Sequence, residues 1–255
     1  MKISKHFFVL FVVCCLASCS GKVAVIPPLE DFDAEKSFSR ANKMISDKDY
    51  SDARAVLLEI KNRDLSKKIA PLAQLRIADS YAKEEEFEKA VAEYRKFLEM
   101  YPDHRHASYA QYEIAMIYFN QIEGPERGYG GAAMALAEFE KLKKDFPRNP
   151  YKDIVEVRIE KCRNIMADYE LLVGEFYIKK GSYNAAIQRF ERLLAKYPDY
   201  KKIEQVLLDL GVCYNKIGRG DKAEAYLKDL LGKYPNSPLT EKARKELASV
   251  KPAVK

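Results

Sequence analysis

Four segments of this 255-residue chain end in an aromatic residue followed by proline: Tyr101-Pro102, Phe146-Pro147, Tyr197-Pro198 and Tyr234-Pro235. Twelve residues before each proline stands an alanine (Ala90, Ala135, Ala186, Ala223), and eight before it a large apolar residue (Tyr94, Phe139, Phe190, Leu227). Ala53 and Leu57 keep the same offset without the proline. An alanine and an apolar residue four positions on share one helix face. The small side chain lets a second helix approach, and the large one fills the space beside it. Proline cannot continue the helix, so it closes the unit. A second helical pattern lies upstream of each, with Met44, Tyr81, Tyr118, Tyr177 or Tyr214 at the matching place. A helix pair of this kind cannot bury its apolar face alone, so the pairs must stack into a solenoid.

These units resemble tetratricopeptide repeats, most closely in Ile77–Pro102, Val173–Pro198 and Leu210–Pro235, where Gly174 and Gly211 hold the small position of the first helix. The expectation is an all-α, right-handed solenoid of about five helix pairs. Their spans are residues 35–68, 69–104, 105–149, 150–200 and 201–236, with a capping helix at 238–249 and a disordered tail at 250–255. Two departures from the period are expected. Asn120–Gly131 (NQIEGPERGYGG) is rich in Gly and Pro and reads as a loop, either a structural insertion or a contact loop. It lacks the spacing and the Lys-Ser/Thr of a phosphate loop. Tyr151–Lys180 has no proline and only one glycine, Gly174, which predicts one unusually long helix.

The N-terminus has a different character. Lys2 and Lys5 precede the apolar run Phe7–Leu16, and Leu16-Ala17-Ser18-Cys19 closes it. Charge, apolar run and small residues in that order make a signal peptide, residues 1–18. Ten helical residues reach ~15 Å, about half the hydrocarbon core, so the run cannot span a membrane. The terminal cysteine resembles the bacterial lipobox, which implies lipidation at Cys19 and a membrane tether of acyl chains. Ser20 in place of Asp favours the outer membrane, by resemblance to sorting in well-studied Gram-negative bacteria. Residues 19–34, with Pro27-Pro28, read as an extended tether. Two of the five cysteines leave with the signal, and Cys162 and Cys213 are expected to be free and buried.

No catalytic constellation is present in the sequence, and no cofactor is expected beyond the lipid on Cys19. His104 and His106 sit in a connector without companion ligands and read as a solvated turn rather than a metal site. Glu84-Glu85-Glu86 reads as a solvated helix end. A formal charge of +6 on the full chain is too mild to argue for nucleic acid. Residues 158–202 carry ten Lys/Arg against six Asp/Glu. Within that stretch Arg158, Arg163, Lys179 and Lys180 are the candidate partner-binding residues, although lysines at a helix C-terminus also complement its dipole.

The lipobox, the five-repeat layout, the loop in repeat three and the run YELLVGEFYIKKG (Tyr169–Gly181) with YNAAIQRFERLLAKYP (Tyr183–Pro198) resemble the BamD family of outer-membrane assembly lipoproteins. The resemblance implies a scaffold at the periplasmic face of the outer membrane, within the machine that folds and inserts β-barrel proteins. It implies that repeats three to five face a POTRA domain of a BamA-like barrel, that the N-terminal repeats receive unfolded barrel substrates, and that further lipoproteins of the complex can attach. Arg158 matches an arginine on the family's long helix. A second family arginine falls near Ile165, close to Arg163 but not equivalent to it. Residues 62–71 lack the aromatic-Pro ending that the family has between its first two repeats. The alternatives are another repeat lipoprotein, such as a pilotin serving a secretin, and an enzyme or metal carrier using His104 and His106.

Overall fold

The computed structural model describes residues 32–64 and 66–250. The signal segment, Cys19, most of the tether and the last five residues lie outside the described residues. Among the described residues all regular structure is helical: α1 (Ala34–Ser46), α2 (Tyr50–Arg63), α3 (Ala70–Lys83), α4 (Phe87–Met100), α5 (Ala107–Asn120), α6 (Gly130–Asp145), α7 (Lys152–Lys179), α8 (Tyr183–Lys196), α9 (Ile203–Lys216), α10 (Gly220–Lys233) and α11 (Thr240–Ser249). Each helix packs on the next in sequence, so the array is an α-solenoid of five helix pairs with α11 against the last one.

The expected spacing positions form the interior. Ala53, Ala90, Ala135, Ala186 and Ala223 are fully buried, as are Leu57, Phe139, Phe190 and Leu227, with Tyr94 almost so. Gly174 and Gly211 mark the closest approaches. A Cβ on Gly174 would fall 2.2 Å from the Phe190 ring, and one on Gly211 would fall 2.5 Å from Leu227 Cγ. In the earlier pairs fully buried Ala78 and Ala115 take the same place. Burying each large side chain contributes roughly 2–3 kcal/mol, which is why a register of one small and one large residue suffices to hold neighbouring helices together.

Turns within the pairs need one residue in the left-handed region. Lys48 (φ 69°) and Glu85 (φ 63°) supply it in the first two pairs, Gly181 (φ 72°) and Gly218 (φ 76°) in the last two. Asp64 closes the first pair, where the aromatic-Pro ending is missing. Its Oδ2 accepts from the backbone N–H groups of Ile69 (2.7 Å) and Ala70 (2.9 Å), and its Oδ1 from Ser66 N–H (3.1 Å). A capping carboxylate thus starts α3 in place of the proline stop. Burial opposes its charge, but the bonds from Ser66, Ala70 and Ile69 hold the carboxyl below the usual range.

Helix α7 runs 28 residues without a break. Its first half packs on α6 through Val155, Ile159 and Cys162, and its second half pairs with α8. The Asn120–Gly131 loop folds onto α7 through a single 3-10 turn, Pro125–Arg127, with the Tyr129 ring 5.0 Å from that of Tyr169. Cys162 and Cys213 are free and fully buried, in separate clusters. Burial pushes their thiols up to about 11 and about 12, so neither is a ready nucleophile.

A polar layer recurs beside the small position. Gln74 of α3 donates from Nε2 to the Glu93 carbonyl (3.0 Å) and carboxylate (2.6 Å) of α4. Gln111 of α5 repeats this on Glu138 of α6, at 3.2 and 2.8 Å. At the next level Glu170 of α7 pairs with Arg189 of α8 (3.2 Å). At the last, Leu207 and Tyr226 stand in one apolar cluster.

Candidate partner-binding surfaces

Two surfaces combine exposed recognition groups with shaped cavities. The first is built by the leading helices of the first three pairs. Phe38 of α1, Leu72, Leu75, Arg76 and Asp79 of α3, and Tyr109 of α5 line a cavity of about 540 Å³, with Arg105, His106 and Tyr151 at its edge. Helical spacing places Leu72, Arg76 and Asp79 on one side of α3. Asp79 is the hub, 7% exposed. It accepts from Tyr94 Oη (2.6 Å) and Tyr109 Oη (3.0 Å) and pairs with Arg76 (2.8 Å). Burial first, then the Asp79 charge, pushes both phenols far above their ordinary value, so both stay protonated donors. Glu113, one turn along α5, is pushed up to about 7 by burial and by Asp79, against the pull of Arg158. The cavity is therefore lined by apolar and aromatic side chains together with Arg105 and the paired Arg76 and Asp79, a mixed lining that suits a chain segment with both apolar and polar parts.

The second surface follows α7. Arg158 is half-buried: it donates to Tyr112 Oη (2.8 Å) and lies over the rings of Tyr112 (5.5 Å) and Phe119 (5.6 Å). Tyr112 in turn stacks on Tyr151 at 4.1 Å. This arginine joins α5 to α7, and its guanidinium is engaged from within. Arg163 is exposed and holds Glu140 of α6 at 3.0 Å. Lys179 is exposed at the end of α7, and Lys180 sits 5.6 Å over the Phe176 ring. From Arg158 to Lys179 the helix advances ~32 Å, so the four cations form no single cluster. Beside Arg163 lies a groove of about 670 Å³, walled by Leu136, Val157, Met166, Lys196 and Tyr197. Val157 is the most exposed large apolar residue described (61%), and Leu172 and Phe176 form a second exposed pair further along.

Other residues singled out in the sequence have ordinary partners. His104 Nδ1 accepts from the His106 backbone N–H (3.2 Å), and its ring meets Phe97 edge-on at 5.5 Å. Burial pushes both imidazoles down. Among the described residues no group of three His, Cys, Asp or Glu could hold a metal ion. Glu84 pairs with Arg54 (2.7 Å) and Glu86 with Lys89 (3.1 Å). Sequence reasoning missed the Asp79 hub and the Gln–Glu layer. The Gln–Glu layer recurs at a fixed offset from the small alanines Ala78 and Ala115 and shows once the repeats are aligned on them, whereas Asp79 has no counterpart in the other repeats.

Stacked helix pairs with a small–large register define a tetratricopeptide-type scaffold. A family model described as "YfiO: Outer membrane lipoprotein" matches residues 30–228, and the chain belongs to that family. A relative from Neisseria meningitidis, named outer membrane protein assembly factor BamD, is 25% identical over 219 residues, 82% of each chain. One of the same name from Rickettsia prowazekii is 25% identical over 241 residues, 93% of this chain and 94% of the relative. Among solved structures, the TPR2AB-domain:pHSP90 complex of yeast Sti1 aligns over 85% of this chain and 82% of that chain at 14% identity, with a TM-score of 0.46. The relatives' names describe an assembly factor, not an enzyme. No helix among the described residues is long and apolar enough to cross a membrane.

Proposed function

We propose that this chain is a non-catalytic, lipid-anchored scaffold of the β-barrel assembly machinery, working at the periplasmic face of the outer membrane. The observation that carries this reading is the family match across residues 30–228, joined to BamD relatives aligned over most of their length. Cys19 carries the lipid and residues 20–34 form the tether. The surface along α7, with Arg163, Lys179 and Lys180 exposed and Arg158 fixing the α5–α7 joint, receives a POTRA domain of a BamA-like barrel. The cavity around Arg76, Asp79 and Tyr109 receives segments of unfolded barrel proteins, whose alternating apolar and polar residues suit its mixed walls.

The test is a mild-detergent pull-down of the full-length lipoprotein from its own envelope, read by mass spectrometry. A POTRA-bearing barrel protein at near-equal amount is expected. A secretin in its place, or no stoichiometric partner, overturns the reading. Cys19→Ala should leave a folded protein that no longer sediments with membranes, and unchanged fractionation refutes the anchor.

A further inference from the structure

The repeats can be compared position by position, and one comparison leaves a group without its counterpart. Gln74 and Gln111 are equivalent: each precedes its small alanine by four residues and donates from Nε2 to a glutamate carbonyl and carboxylate on the next helix. Both groups facing each Nε2 are acceptors, which fixes the amide orientation and turns Oε1 the other way. In the first case Lys61 Nζ, from the preceding α2, donates to Gln74 Oε1. Lys61 lies eight residues after Ala53, and eight residues after Ala90 the chain has Leu98, which cannot donate. Gln111 is fully buried, and its Oε1 has no hydrogen-bond partner, alone among buried side-chain polar atoms of the described residues. A buried amide oxygen left unbonded is costly, so this position favours any donor that can reach it.

Gln111 also lines a groove of about 550 Å³ between α4 and α6, which no other inner-layer glutamine borders. Leu98, Pro102 and Phe146 give it apolar walls, and Asp103 and Asp145 its acidic rim, against one cation, Lys141. Neither aspartate forms an ion pair among the described residues. We propose that this groove is a docking pocket for a lysine side chain of a partner protein, its ammonium taking on Gln111 Oε1 the place Lys61 takes on Gln74 Oε1. The apolar walls suit the lysine's four-carbon stem, and the two carboxylates suit its charge. A lipid ethanolamine head group offers the same ammonium. It would bring its phosphate against Asp103 and Asp145, which selects lysine instead. Gln111 Oε1 is closed to solvent as the side chains stand, so the ammonium reaches it by parting the half-buried Leu98 from the wall. The inference depends on the repeat geometry alone, not on the assembly reading.

The test uses the full-length lipoprotein in detergent micelles with nitrogen-15 labelled glutamine, the Gln111 side-chain resonance being assigned through Gln111→Met. Three probes are titrated: a capped Gly-Lys-Gly peptide, a capped Gly-norleucine-Gly peptide, and phosphoethanolamine. The lysine peptide should shift the Gln111 amide saturably, and the other two should not. Leu98→Lys should abolish the response, because the new side chain fills the position from within. Should that variant fail to fold, the surface pair Asp103→Asn with Asp145→Asn decides, with a severalfold weaker response expected and an unchanged one refuting the site. No shift with the lysine peptide, an equal shift with norleucine, a shift with phosphoethanolamine, or a response that survives Leu98→Lys overturns the proposal.

Discussion

The first two helix pairs and the last two solve the same packing problem with different chemistry. At the closest helix approach the early pairs use Ala78 and the late ones Gly174 and Gly211. In the turn within each pair, Lys48 and Glu85 hold the left-handed conformation early, and Gly181 and Gly218 hold it late. The early interior carries hydrogen-bonded polar groups, Gln74 on Glu93 and Asp79 with two tyrosines, whereas in the late half the Glu170–Arg189 pair is followed by a last layer where Leu207 and Tyr226 stand in one apolar cluster. The late half is therefore closed more tightly at its two glycines, and its last layer is apolar. The early half depends on hydrogen bonds that must all be satisfied and on turns that store strain, so it gives up stability to carry polar groups near its cavity.

The largest expected effect sits in the late half. Gly174→Val should cost ~3 kcal/mol or more, because the new Cβ would fall inside the buried Phe190 ring. Ala78→Gly at the matching place in α3 should cost only ~1 kcal/mol, the helix-propensity difference. Thermal or urea melts of both variants measure the contrast, and equal losses would mean that the two halves do not differ in how closely their helices approach.

In the early half Asp79→Ala should cost ~2 kcal/mol, by leaving Tyr94 Oη buried without an acceptor. Tyr94→Phe alone should cost ~1 kcal/mol, and in the Asp79→Ala background almost nothing, since the orphaned hydroxyl is gone. Additive losses in that cycle would show that the hydrogen bond is not what couples the two sites. The turns give a smaller contrast of opposite sign. Glu85→Gly relieves a left-handed side chain and should stabilise by up to ~1 kcal/mol, whereas Gly181→Ala introduces that strain and should cost about as much.

What the sequence disclosed follows the same division. The repeat register was legible because alanine, a large apolar residue and aromatic-Pro recur at fixed offsets, and each of those residues has one packing role. The unbroken α7 was legible from its lack of proline. Arg158 shows where this kind of reading stops. Its charge and position on the long helix suggest a free recognition group, yet Tyr112 and Phe119 come from a helix some forty residues away and engage it from within. Asp79 was equally hidden, because its two phenols come from different helices and no local pattern announces a long-range hydrogen bond. The substitute cap at Asp64 could be found only by asking what replaces a missing proline.

The subtlest contrast concerns pH. Glu113 has its carboxyl raised to about 7 by burial and by Asp79, with Arg158 opposing. In the unfolded chain it returns to about 4.3. The folded state therefore binds this proton more tightly, so the contribution of Glu113 to stability is fully present below about pH 4 and is lost as pH rises through 7. Glu113→Gln removes that loss. The melting temperature of the variant relative to the parent should be flat at the acid end, rise between about pH 4 and 7, and level off above. Asp209, raised to about 6 in the late half, titrates identically in both proteins and cancels from the difference. Arg158→Gln should move the upper edge of the window to higher pH, because the guanidinium is the group holding Glu113 down. A difference that does not vary with pH would mean that solvent reaches Glu113 freely, and the polar early half would then be wetter and less constrained than the comparison with the late half requires.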